Sequence, residues 1–147
     1  MDDPIRLPPP TQDEITSALL AHVLQIFTWW IGPLVIYLVK RDSKFASFRA
    51  MQALLWQCAL MIFWMVVFAL WMIGFSLVIF AHMGRTPPGN SPPPPVFFAF
   101  FGFFWLTLMG MGLLNIIVGI VYAVRASRGE WAQYPLLGRL ARRIVEV

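Results

Sequence analysis

At 147 residues the chain is long enough for one domain, but its composition excludes an ordinary water-soluble one. Hydrophobic residues make up 59% and charged residues 12%, against roughly 45–50% and 25% in soluble domains. The net charge of +4 does not argue for nucleic-acid binding, because the basic residues flank hydrophobic segments, where lipid headgroups are the nearer partners.

The first ten residues form a proline-rich leader with Pro4, Pro8, Pro9 and Pro10, which favours extended polyproline II. The acidic start Met1-Asp2-Asp3-Pro4 lacks the basic region of a secretory signal. Residues 11–147 then read as a single membrane domain. Thr11-Gln12-Asp13-Glu14 matches a capping box, with Thr11 as N-cap and Glu14 at N3. It opens a helix predicted to run to about Val39, kinked or interrupted at Gly32-Pro33.

Three stretches carry no charge: Ala18–Val39, Ala50–Ala81 and Val96–Val124. Each reaches the roughly 20 apolar residues that a span needs. Lipid leaves only helices or closed barrels as spanning structures, and unbroken runs fit helices. The expectation is therefore an all-α integral membrane bundle. Its three transmembrane helices would lie at about 18–39, 52–81 and 96–124, followed by an interfacial amphipathic helix. Residues 82–95, rich in proline, make the loop between the second and third spans.

Beyond Tyr134-Pro135 the pattern turns amphipathic. Leu136, Leu137, Leu140, Ala141, Ile144 and Val147 share one side, and Arg139, Arg142, Arg143 and Glu146 the other. That pattern suits a helix in the membrane interface or one packed on a partner protein. With three spans, nine of the eleven basic residues fall on the side of the 40–49 turn and the 125–147 tail. The positive-inside rule makes that side cytoplasmic. The N-terminus and the 82–95 loop would then face outward, provided the first helix crosses completely.

Little in the spans carries chemistry. No nucleophile–base pair, paired carboxylates or phosphate loop is visible, and the charge-free spans do not suit a pump. The chain is expected not to be an enzyme. His22 is the candidate cofactor residue, a possible ligand for haem or a pigment magnesium; the ordinary role of such a histidine is a helix–helix hydrogen bond. No cofactor is otherwise expected. Gly112, Asn115, Gly119 and Ala123 fall at i, i+3, i+7 and i+11, a small-residue stripe with Asn115 as a polar tie for helix packing. Trp131, Tyr134, Arg139, Arg142 and Arg143 are the expected membrane-interface residues. Gly129 fits the end of the third helix.

Two segments carry a family resemblance. Phe45-Ala46-Ser47-Phe48-Arg49-Ala50-Met51-Gln52-Ala53-Leu54-Leu55 resembles an aromatic turn leading into a His-Ala-x-Gln-Ala-Leu-Leu helix start, with Arg49 in the histidine's place. Ala123–Gly138, containing Gly129-Glu130-Trp131 and Tyr134-Pro135, resembles the same family's closing pattern. Together with Leu20-Ala21-His22 and Gly32-Pro33-Leu34, they resemble the bacterial membrane family related to the Tic-type chloroplast import component, a group that includes magnetosome membrane proteins. The resemblance implies an integral membrane fold and, for the plant branch, a part in protein translocation.

The resulting expectation is a non-enzymatic accessory or scaffold subunit of a larger complex in the bacterial cytoplasmic membrane. Its partners would be lipids and other integral membrane subunits. A component of protein import or membrane insertion, and a pigment- or haem-binding subunit, are the alternatives.

Overall fold

The computed structural model describes residues 9–84, 95–134 and 137–145. The described residues are all-α, with five helices: α1 (Gln12–Thr28), α2 (Ile31–Val39), α3 (Lys44–Met83), α4 (Pro95–Ser127) and α5 (Leu137–Val145). Among the described residues, only α3 and α4 are long and apolar enough to be candidate membrane spans. At 1.5 Å per residue α3 is about 60 Å long, twice a hydrocarbon core of about 30 Å. Residues 1–8 of the leader and 85–94 of the proline loop lie outside the described residues, as do Pro135, Leu136, Glu146 and Val147.

The segment expected to form the first span is two helices of 17 and 9 residues, and its interruption falls at Trp29-Trp30 rather than at Gly32-Pro33. Trp29 adopts a positive φ of 56°, which ends α1. Pro33 lies in the first turn of α2, where a missing N–H leaves no helical bond unmade. The Thr28 hydroxyl donates to Leu24 O at 2.8 Å and accepts from Gly32 N at 3.0 Å, so one side chain bridges the turn. A Cβ on Gly32 would collide with Leu24 Cβ and Thr28 Oγ1, so only glycine lets α2 pass this close to α1.

The two helices form a hairpin closed at its base. Thr11 and Glu14 make the expected capping box. Glu14 Oε1 also accepts from the Ser43 hydroxyl at 2.7 Å, and Ser43 in turn accepts from Ala46 N in the first turn of α3. Lys40 Nζ meets Asp13 Oδ2 at 2.6 Å. The start of α1 and the end of α2 therefore lie together beside the start of α3.

The chain divides into two compact units, Met1–Ala59 with Asn115–Val147, and Leu60–Leu114. In the first, every residue of α3 from Phe45 to Ala53 is buried, so this end of the helix is covered on all sides. Ala18, Phe45 and Ala126 pack with Ile15 and Trp131. Phe48, Met51 and Ala141 pack with Tyr37, Leu54, Leu55, Trp131 and Val145. The second unit, Leu60–Leu114, holds the C-terminal part of α3 and the N-terminal part of α4. The Trp71 indole donates to Phe100 O at 3.0 Å, Phe75 meets Phe97 at 5.4 Å and Trp71 meets Phe104 at 4.8 Å between ring centroids. Away from this seam its large apolar side chains are exposed, among them Met65, Leu70, Leu77, Leu106 and Met109, as lipid-facing helices require.

Candidate functional site

The first unit encloses a polar cluster drawn from α1, α3, α4 and the segment after α4. His22, Gln25, Arg49 and Gln52 are each 0% exposed. Arg49 is the centre of one half. Its Nη1 donates to Ala132 O at 3.0 Å and its Nη2 to Glu130 O. These carbonyls are presented by a helix end of a specific kind. Gly129 has φ +69°, with Gly129 N donating to Ala126 O and Glu130 N to Arg125 O, the Schellman arrangement that glycine makes possible. The expected helix end at Gly129 is thus observed. Phe45 lies 5.5 Å from the guanidinium, while Trp131 sits edge-on to Phe45 at 5.0 Å.

His22 anchors the other half. Its Nδ1 lies 3.3 Å from the Tyr134 hydroxyl, and its ring lies within 6.0 Å of the Tyr122 and Tyr134 rings. Burial, the largest influence, pushes the Tyr134 phenol up from its ordinary value, so it remains a neutral O–H able to donate to that nitrogen. The Tyr122 hydroxyl donates to Gln133 O at 3.0 Å. Deeper along α3, Gln57 Nε2 donates to Gln25 O at 3.1 Å and to Asn115 Oδ1 at 2.9 Å, and Trp56 donates to the same Asn115 oxygen at 3.2 Å. His22 Nε2 and the Gln52 amide have no hydrogen-bond partner among the described residues.

The small-residue stripe divides. A Cβ on Gly119 would stand 2.7 Å from Ile26 Cγ1, so α1 and α4 touch there; Ala123 is buried, and Asn115 ties α4 to α3. Gly112 is exposed and faces open space. Among the interface residues, Tyr134 is 3% exposed and lies inside the unit rather than at its surface. Trp131 is half-buried, and Arg139 and Arg143 are exposed. Arg142 faces Gln133, whose amide oxygen accepts from its Nη2 and Nε at 2.5 and 2.8 Å once the amide is turned toward it. Sequence reading missed the burial of Arg49, counting it only as a flanking charge; its signal was the arginine standing in the histidine position of the Phe45–Leu55 segment.

The arrangement ties helices together. The Arg49 fork, Gln57, Asn115 and the two phenols meet backbone carbonyls, amides and a ring nitrogen, and no group of three or more His, Cys, Asp and Glu gathers among the described residues. His22 Nε2, the atom that haem or pigment ligation would need, is buried. A family model described as the magnetosome magnetite crystal formation protein family, MamF/MmsF, matches residues 13–141. No curated protein and no solved structure matches the chain.

Proposed function

The chain belongs to the MamF/MmsF magnetosome magnetite crystal formation protein family, and on that footing we propose that it is a non-enzymatic scaffold subunit of a membrane assembly serving magnetite formation. The observation that carries this reading is the use made of the polar groups. Arg49, Gln57, Asn115, Tyr122 and Tyr134 are engaged in tying α1, α3, α4 and the segment after α4 to one another, which suits a protein that works by binding. The exposed apolar lengths of α3 and α4 offer surface both to lipid and to neighbouring helices. The family points to the magnetosome membrane, with the basic 125–147 tail on the cytoplasmic side.

Gentle detergent extraction from native membranes followed by native mass measurement tests the proposal. The expected species is a complex of integral membrane subunits much heavier than the 16.8 kDa chain. Recovery of the free monomer alone would overturn it. The resemblance of the 123–138 segment to the closing pattern of the Tic-type import group supports a second reading, and photocrosslinking to a chain in transit would favour that one. A haem or pigment band in the purified protein would instead favour ligation by His22.

A further inference from the structure

We infer that α1 and α2 form a re-entrant hairpin, which enters the bilayer from the side where α3 begins, ends inside it, and returns. The occupant of its exposed apolar face is lipid acyl chain. This inference rests on the reading of α3 and α4 as membrane spans, and not on the scaffold role.

Three observations carry it. The hairpin's ends are polar and joined: Asp13 to Lys40, and Glu14 to Ser43. Its tip is apolar and open, with Phe27 77%, Trp29 57% and Ile31 53% exposed. The apolar face continues down α2 through Ile31, Val35 and Leu38, all exposed, at the i, i+4, i+7 spacing of one helix side. In water such a surface is a liability; in lipid it matches the outer faces of the two spans.

The register gives the direction. Glu14 is level with Ser43, just before α3, while Gln25 is level with Gln57. So α1 runs alongside the first part of α3 in the same sense, and α2 brings the chain back to the base. At 1.5 Å per residue, the 17 residues of α1 rise about 26 Å, short of a hydrocarbon core of about 30 Å. A turn at that height leaves Trp29 and Trp30 within the membrane. Both sides of the hairpin's base then share a face with the tail. The basic residues on that face rise to ten of eleven, Arg85 being the exception, a stronger charge asymmetry than three spans give.

The test uses single cysteines in the full-length protein carrying Cys58→Ser, reconstituted in sealed vesicles of one orientation. Gln12→Cys and Arg41→Cys, at exposed positions of the base, should react with an impermeant maleimide from the same face. A fluorophore on Val35→Cys should lose most of its emission to lipids brominated on their acyl chains, while one on Arg41→Cys should keep it. Labelling of the two base positions from opposite faces would overturn the hairpin in favour of a complete span. A Val35 label quenched by aqueous iodide and not by brominated lipid would place the hairpin outside the bilayer and overturn the inference too. Neither result bears on whether the native protein is recovered in a complex.

Discussion

Arg49 shows how much one side chain can decide in a unit this small. Its burial is tolerable because the guanidinium fork meets two backbone carbonyls, at Glu130 and Ala132, which in turn would be left unsatisfied without it. Arg49→Ala should therefore destabilise the protein by about 3 kcal/mol, and Arg49→Lys should recover only part, since an ammonium cannot reproduce the fork. Thermal unfolding in detergent reads both; an Arg49→Ala protein that melts with the wild type would show that the clasp contributes little. Tyr134 teaches the same lesson in reverse. An aromatic residue after a helix end looks like a headgroup anchor, yet its hydroxyl has a buried nitrogen to reach, His22 Nδ1, and the ring follows it inward.

At the scale of elements, the hairpin base is held by a carboxylate with two tasks. Glu14 accepts from Thr11 N at 2.7 Å and from the Ser43 hydroxyl at 2.7 Å. The Thr11 backbone bond first, then the Ser43 bond, hold its carboxyl below the ordinary value of 4.5. A lowered folded value means that the contribution is fully present above the unfolded value and is lost as pH falls through the folded one. The wild type should lose stability as pH falls below the ordinary value of 4.5, and Glu14→Gln should lose less on the same acid limb. Melting temperature against pH measures this; identical acid limbs would mean that Glu14 is not coupled to folding. The capping box was legible in four residues because its chemistry is local. The break in the first helix was displaced from its expected place because Pro33 is harmless in a first turn, whereas Trp29 leaves the helical region for reasons that Gly32 and Thr28 supply from across the turn.

For the whole molecule, the apolar faces of α3 and α4 make a direct claim about environment. Met109 is 70% exposed and near the middle of the 96–124 run. Met109→Lys should cost about 2.5–3.5 kcal/mol on insertion if that face meets lipid, read as a fall in the inserted fraction in a glycosylation or protease-protection assay. Unchanged insertion would mean that this position faces water or a partner. Membrane residence, helical class, the capping box, the helix end at Gly129 and two of the long helices were determined by the sequence itself. Each depends on composition, periodicity or contacts within a few residues, and lipid enforces backbone hydrogen bonding without help from distant parts of the chain. The number of candidate spans, the fate of Arg49 and the inward turn of Tyr134 were decided only by tertiary structure. Hydrophobic length cannot distinguish a helix that crosses from one that folds back, because both bury the same residues. The choice rests on the meeting of Asp13 with Lys40, of Glu14 with Ser43 and of Gln25 with Gln57, pairs 27 to 32 residues apart that no local pattern brings together.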